Sequence, residues 1–340
     1  MIVKNSRLKE IDILYTIGTI LVILGHSHTS NWTVFEGTFF YHCIVFIYTF
    51  HMPLFFLISG ILLYNSSSIE NKNFVIFIKD KAVKLLVPYF FITAVTMVPK
   101  AYLDYGNFSF LNLKFIFQTF FNPRNNTWGH FWYLPVLFVC YIMFGALRKT
   151  FCKIKPKLIS CVLIAFCGLF LLILFFPPTN TNWFGLKDIF NFAFYVPLGM
   201  LLSFMFKNRN TISRIILYLL GIIAFSVSII IYSFYYQKPF AKFIISLLML
   251  FALLIISNIL KNKFEKFFTC FSKNIFSIYI YSWPFQSFAL VVLEKLQFGW
   301  QITAPIMFVM GICCPLVLIT IYKRCKIINC HFFDLILGIR

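Results

Sequence analysis

The sequence predicts an all-α fold, a polytopic membrane helix bundle of about ten transmembrane helices. Two observations predict it. Of the 340 residues, 61% are hydrophobic and only 12% are charged, which is more apolar surface than a soluble core of this length can bury. Apolar runs of roughly 18 residues or more also recur along the whole chain. We therefore expect a multi-pass protein of the plasma (inner) membrane, with residues 1–340 forming a single transmembrane domain in contact with membrane lipid.

Ten candidate spans follow one another with short links. They cover residues 11–30, 41–63, 85–103, 131–147, 158–176, 188–206, 215–232, 241–260, 275–292 and 302–321. The first span resembles a signal peptide, but it contains Asp12 and ends without a small-residue cleavage site, so we predict that it is retained. Prolines such as Pro53 and Pro88 lie inside spans, where proline is tolerated and kinks or breaks the helix.

The charge distribution predicts the orientation of the spans. The net charge is +20, and 23 of the 30 Lys and Arg residues fall in segments on the same side as the N-terminus. This excess places both termini in the cytosol. Because the charge lies in short loops, we expect no nucleic-acid partner. The ten cysteines are scattered without a CxxC spacing, so we predict neither a metal site nor a disulfide framework.

Histidine is the informative polar residue here, since ionisable groups inside a membrane are costly and usually mark function. His26 follows Gly25, which leaves room for a substrate or a neighbouring helix. On a helix, His26 and His28 would point about 200° apart, so we expect only one of them to face the bundle interior. His26 is either a general base, the usual role of histidine near neutral pH, or a buried histidine satisfied by a neighbouring helix.

Asp12 lies 14 residues before His26. A helix would separate the two by about 21 Å along its axis, so Asp12 is not expected to orient His26 directly. The spacing suggests two ends of one path through the membrane. Alternatively, Asp12 is a first-turn acid favoured by the helix dipole.

Three further stretches carry candidate polar residues. His51, in FHMPLFF, is predicted to be structural or to contact substrate, and Pro53 could break the helix beside it. Lys81 and Lys84 share a helix face and are either a phosphate clamp for a nucleotide-containing donor or positive-inside anchors. The loop 104–130 is rich in Asn and aromatic residues, as expected of an interfacial loop or of a lid that contacts sugar.

Five motifs occur in a fixed order and together suggest a family. They are Ile11–Ser27, Phe50–Gly60, Lys79–Phe90, His130–Phe138 and Ile275–Gln286. With them the chain resembles the membrane acyltransferase-3 family, in particular its sugar O-acetylases of the fucose O-acetylase type. The resemblance implies transfer of an acetyl group from cytosolic acetyl-CoA to a hydroxyl of a cell-surface glycan or its lipid-linked precursor. Acetyl-CoA would be a substrate, and no bound cofactor is expected.

The resemblance also implies roles for individual residues. His26 would be the general base and Asp12 the conserved acid of the first span. The predicted substrate-binding residues are His51, Lys81, Lys84, Trp132 and Glu36. The chain departs from the family at Tyr15, where members usually carry Arg or Lys, and at Ser282, where many carry His. A homo-oligomer is a possible assembly.

Two other functions stay open at this point. One is a transporter or flippase of a lipid-linked sugar, which the lack of an evident inverted repeat argues against. The other is a non-catalytic membrane subunit that binds glycan, which the Tyr15 departure favours. Consumption of acetyl-CoA separates both from the enzyme.

Overall fold

The fold is described by a computed structural model. It describes residues 9–66, 69, 73–106, 112–151, 154–179, 181–207, 214–261, 263–325, 334 and 336–337. Some basic residues that entered the orientation argument lie outside this part of the chain, namely Lys4, Arg7, Lys72, Lys153, Arg209, Lys326 and Arg340. Residues 107–111 of the predicted outer loop also lie outside it.

Helices make up the described chain, in which no strand occurs, and this confirms the predicted all-α class. They are α1 (Lys9–Gly25), α2 (Phe39–Tyr64), α3 (Phe74–Tyr105), α4 (Leu113–Phe121), α5 (Tyr133–Thr150), α6 (Pro156–Phe175), α7 (Leu186–Phe192), α8 (Tyr195–Lys207), α9 (Arg214–Tyr235), α10 (Pro239–Leu260), α11 (Glu265–Ser272), α12 (Ile275–Lys295) and α13 (Trp300–Cys325). Short 3-10 turns occur at Trp32–Val34, Pro123–Asn125, Gly129–Trp132 and Trp183–Gly185.

Within the described residues, 8 helices are long and apolar enough to cross a membrane, or 9 if one bent pair counts as a single span. That pair is Trp183–Phe192 and Tyr195–Met205, which meet at 41°, so the predicted span 188–206 is broken. The predicted span 11–30 corresponds to α1, which has only 17 residues and a length of about 26 Å. The first span is therefore shorter than predicted, because the helix ends at Gly25.

Local sequence explains where several helices begin and end. The side chains of Asn73 and Asn112 accept hydrogen bonds from Val75 N and Phe115 N, and so cap α3 and α4 at their N-termini. Gly106 ends α3 in the left-handed conformation, with φ of 73°, which only glycine adopts without strain. Helices α6 and α10 begin with proline at the first turn, where its missing N–H costs nothing.

The first compact unit comprises residues up to Phe55 and the helices from α9 to α13. Helix α1 lies at its centre and packs against α10, α11, α12 and α13, while α9 pairs with α10 and α12 with α13. Two ion pairs, Lys9 with Glu265 and Lys261 with Glu10, fix the start of α1 with 2.7 Å contacts. Unit 1 is thus organised around the helix that carries Asp12 and His26.

The second compact unit comprises residues from Phe56 to Arg209. Helix α5 packs against α3, α7 and α8, and α6 packs against α7 and α8. In this unit the C-terminal half of α2 meets α8 backbone to backbone: a Cβ added at Gly60 would lie 2.1 Å from Val196 O, and one at Gly199 would lie 2.2 Å from Leu57 O. The prediction of one domain over residues 1–340 stays a prediction.

One feature of α2 differs from expectation. Pro53 lies inside a helix that is continuous from Phe39 to Tyr64, so it does not break the second span. Pro88 likewise lies inside the continuous α3. A proline removes one N–H from the helix ladder, and the neighbouring turns of a membrane helix can absorb that loss.

Candidate active site

The C-terminal end of α1 is held by hydrogen bonds from three side chains. The last carbonyl groups of a helix have no partner within it and need one from elsewhere. Here Ser27 Oγ donates to Ile23 O at 2.7 Å, and Gln286 Nε2 donates to Ile23 O at 2.9 Å and to Ser27 Oγ at 2.8 Å. Both side chains are fully buried, with exposures of 0% for Ser27 and 1% for Gln286. The helix end that carries His26 is therefore fixed from within α1 and from α12.

Tyr48 of α2 provides the third of these contacts. Its hydroxyl donates to Gly25 O at 2.6 Å. A Cβ at Gly25 would lie 3.2 Å from Cε1 of the Tyr48 ring, so glycine allows this close approach. The expectation that Gly25 leaves room for a neighbouring helix is met, and the neighbour is α2.

His26 lies between two aromatic rings. The ring of Trp283 meets it edge-on with centroids 4.7 Å apart, and the ring of Tyr48 lies 6.0 Å away. Trp283 belongs to α12, one turn before Gln286. The imidazole is half-buried, so it is partly shielded from water while its orientation is restricted by packing.

His28 is not on the opposite face of a helix, because α1 ends at Gly25. The predicted separation of about 200° between His26 and His28 is therefore wrong. Both are half-buried, and both contact Tyr48: His28 Nε2 lies 3.5 Å from the Tyr48 hydroxyl oxygen. The turn after α1 brings the two histidines to the same side chain.

His51 also reaches Tyr48, with ring centroids 5.2 Å apart. It is buried, and its Nδ1 lies 2.9 Å from Ile47 O one turn earlier in α2. A carbonyl oxygen only accepts, so Nδ1 carries a hydrogen. The structure thus brings His26 and His51 together through one tyrosine, whereas their sequence spacing gave no sign of this.

Asp12 lies away from this cluster, whereas Glu36 directly follows Phe35, whose ring centroid lies 5.9 Å from that of His28. Asp12 is buried near the start of α1, where Thr16 Oγ1 donates to its backbone carbonyl at 2.8 Å. Because α1 is continuous from Lys9 to Gly25, Asp12 and Gly25 stand about 20 Å apart along its axis, too far for Asp12 to orient His26 directly. Glu36 is exposed in the link that follows the 3-10 turn Trp32–Val34.

Lys81 and Lys84 lie in the first half of α3, in the second unit. The Lys81 ammonium stands 3.9 Å from the centroid of the Tyr141 ring and 5.5 Å from that of Phe77, a cation–π arrangement. Lys84 is exposed. The two lysines therefore differ in environment, and their predicted role in binding phosphate stays a prediction.

Trp132, also in the second unit, has one face covered. The guanidinium carbon of Arg124 lies 3.9 Å from its ring centroid, and Phe192 packs at 5.1 Å. Arg124 is in turn held by Asp188, with contacts of 2.9 and 2.7 Å. Trp132 is only 5% exposed, so a sugar could stack on the covered face only if Arg124 moved. Its predicted role in substrate binding stays a prediction.

Sequence reasoning missed Tyr48, Trp283 and Gln286 as site residues. Two of them belong to the motif Ile275–Gln286, so a polar glutamine buried in an otherwise apolar span was the available signal. Tyr48 gave none, because tyrosine is common in membrane helices. Among the described residues, no group of three or more His, Cys, Asp or Glu side chains could hold a metal ion.

Comparison with known proteins gives a family. A family model described as an acyltransferase domain matches residues 8–322. The nodulation protein NolL of Mesorhizobium japonicum is 28% identical over 164 residues, which is 47% of this chain. The match spans 41% of the length of that relative. No solved structure matches the chain.

Proposed function

This chain belongs to the acyltransferase family whose model covers residues 8–322, and from that premise we propose that it acetylates a glycan. The donor is acetyl-CoA, and the acceptor is a hydroxyl group of a cell-surface glycan or of its lipid-linked precursor. The observation that carries the proposal is the anchored end of α1, where Ser27, Gln286 and Tyr48 hold the backbone on either side of Gly25. A histidine held in this way has the fixed geometry that proton transfer requires.

In the proposed reaction His26 takes the proton of the acceptor hydroxyl while that oxygen attacks the thioester carbonyl carbon. A C–O bond forms and the C–S bond breaks. The departing thiolate of coenzyme A then takes the proton from His26, which is restored for the next turnover. The reaction needs no bound cofactor.

The other candidate residues receive roles under the same proposal. Asp12 acts at the cytosolic end of α1, and Lys81 and Lys84 bind phosphate groups of the donor. His51, which shares Tyr48 with His26, contacts substrate. Trp132 and Glu36 are proposed to contact the acceptor.

The test is acetyl transfer from labelled acetyl-CoA in membranes that contain the wild type or His26→Ala, followed by mass analysis of the surface glycan. We expect the variant to lose at least about a hundredfold in rate, the usual contribution of a general base, with normal membrane insertion. His42→Ala is a matched control, since His42 is a half-buried histidine whose Nδ1 lies 3.2 Å from the Tyr232 hydroxyl instead.

Transfer at the wild-type rate by His26→Ala would refute the assignment of the base. If the wild type itself consumed no acetyl-CoA with any cell-derived glycan, the transporter or the non-catalytic glycan-binding subunit would replace the enzyme.

A further inference from the structure

Two hydrogen-bond acceptors face each other beside His26. His28 Nδ1 lies 2.8 Å from Thr29 O, and because a carbonyl cannot donate, Nδ1 carries the hydrogen and Nε2 of the neutral ring presents a lone pair. The single hydrogen of the Tyr48 hydroxyl is donated to Gly25 O at 2.6 Å. The Tyr48 oxygen and His28 Nε2 are 3.5 Å apart. Both atoms can accept a hydrogen bond, and neither has a hydrogen available to donate to the other.

Aromatic rings surround this pair. The ring centroid of Trp32 lies 4.3 Å from that of His28 and 6.1 Å from that of Tyr48, and Phe35 lies 5.9 Å from His28. His28, Trp32 and Tyr48 are all half-buried, so a small molecule can reach them. A few polar atoms within an aromatic wall are typical of a small-molecule site.

The turn that carries His28 is held in place. Ser30 donates from its backbone N at 3.1 Å and from its Oγ at 2.8 Å to Glu294 Oε1, in the last turn of α12. Asn31 Oδ1 accepts from Thr33 N at 3.0 Å and caps the 3-10 turn that contains Trp32. A site with this support loses little conformational entropy when a ligand binds.

We infer that His28 Nε2 and the Tyr48 hydroxyl oxygen bind two neighbouring hydroxyl groups of the acceptor, a neutral polyol such as a sugar ring, with Trp32 against its apolar face. The inference rests on the proposed function and deepens it. Each sugar O–H donates to one of the two acceptors. A carboxylate or the dianion of a phosphate monoester has no hydrogen to donate and would meet two lone pairs, so the pair favours a neutral ligand.

This subsite also gives the acceptor an orientation. The Tyr48 ring contacts His26 as well, with centroids 6.0 Å apart, so a sugar bound at His28 and Tyr48 brings a third hydroxyl toward the proposed base. The pair thereby selects which hydroxyl is acetylated.

His28 follows the end of α1, and burial lowers its pKa below the usual value of 6.5, partly offset by the hydrogen bond with Thr29. Nε2 therefore keeps its lone pair at neutral pH.

The experiment measures binding without acetyl-CoA. The full-length protein in lipid nanodiscs is mixed with the methyl glycosides of glucose, galactose, mannose, fucose and rhamnose, and saturation-transfer NMR reports which of them bind. We expect at least one glycoside to bind the wild type and the control His42→Phe. His28→Phe and Tyr48→Phe each keep an aromatic ring and remove one hydrogen-bond acceptor. The affinity of each variant for that glycoside should fall about three- to tenfold, as expected for the loss of one hydrogen bond.

Three outcomes would overturn the inference: no glycoside binds the wild type, both variants bind glycoside as the wild type does, or only the charged probes tetramethylammonium or acetate bind. If one variant is misfolded by size-exclusion chromatography, the other carries the test. Glycoside binding that depends on His28, in a protein that transfers no acetyl group, would refute the proposed function and keep the subsite. If the protein transfers acetyl groups and both variants keep the wild-type KM for the acceptor, the subsite is refuted and the proposed function is kept.

Discussion

At the scale of single residues, Gln286 explains how a histidine can be held still at a helix end inside a membrane. Its amide nitrogen donates to Ile23 O and Ser27 Oγ, and it is 1% exposed. A glutamine in lipid would be costly, whereas here its amide hydrogens are donated to Ile23 O near the end of α1 and to the buried Ser27 hydroxyl. Gln286 is a positioning residue for His26 under the proposed mechanism.

Gln286→Leu should therefore lower kcat at least about tenfold, because the end of α1 loosens. The KM for acetyl-CoA should stay within about twofold, because the contacts with acetyl-CoA are unchanged. The loss of two buried hydrogen bonds should also cost about 1–3 kcal/mol of stability. Steady-state transfer assays and thermal unfolding in detergent measure the two effects. Gln237→Leu is the control, since Gln237 is exposed and its side-chain amide donates to the Tyr236 hydroxyl. Equal kcat values for the two variants would contradict the positioning role.

The candidate site was predictable at this scale only in part. His26 and Asp12 could be predicted because a charged or titratable side chain in an apolar run is conspicuous. The role of Tyr48 could not, since its contacts with Gly25, His28 and His51 depend on how the first two helices pack. The end of α1 at Gly25 was also missed, because Ser27 and His28 continue the helical pattern of the sequence.

At the scale of helices, α2 and α8 approach each other through glycines. Gly60→Ala and Gly199→Ala would each place a methyl group within about 2.2 Å of a backbone carbonyl oxygen, and a backbone cannot move aside as a side chain can. Each substitution should destabilise the protein by at least about 1–3 kcal/mol, seen as a thermal midpoint several degrees lower.

Gly168→Ala is the matched control. Gly168 lies in α6, and a Cβ there would meet nothing within 4 Å, so alanine should leave the midpoint unchanged or raise it by the helix preference of about 0.5–1 kcal/mol. A common response of all three glycine variants would show that packing is not the cause.

Ion pairs at two helix ends should differ in how much they contribute to the stability of the protein. Asp188 at the start of α7 is only 4% exposed, whereas its partner Arg124 is 44% exposed. Arg124→Gln therefore leaves a buried carboxylate without its cation, although the hydrogen bond from Asn182 Nδ2 remains. We expect this variant to lose about 1–3 kcal/mol of stability. Lys9→Gln breaks a pair that is 46% and 48% exposed and should cost less than about 1 kcal/mol. Thermal unfolding compares them, and equal losses would contradict the argument from burial.

Most helices were predictable, because long apolar runs leave few alternatives in lipid. Breaks were not. Pro53 and Pro88 lie in continuous helices, while the break at 41° falls between α7 and α8, just before Pro197. A proline shows only that one hydrogen bond is missing, and the packing of neighbouring helices decides whether the axis bends.

At the scale of the whole molecule, orientation in the membrane decides what His26 can reach. With 23 of 30 basic residues on the side of the termini, we expect both termini in the cytosol. The Asp12 end of α1 then lies near the cytosol and the His26 end about 21 Å away toward the outside. Under the proposed function, a cytosolic thioester would then have to reach through most of the membrane, while an external glycan would meet His26 directly.

Reporter fusions test this arrangement. Green fluorescent protein fused after Arg340 should fluoresce, since it folds in the cytosol, and alkaline phosphatase at the same position should be inactive. Phosphatase fused after Gly37, in the link between α1 and α2, should be active, because that position lies outside; a fusion after Ser66, beyond α2, is the inactive control. Active phosphatase at Arg340 together with inactive phosphatase at Gly37 would show that the protein has the opposite orientation in the membrane. His26 would then face the cytosol, donor and acceptor would meet on the same side, and the acceptor would have to be a cytosolic precursor instead of a surface glycan.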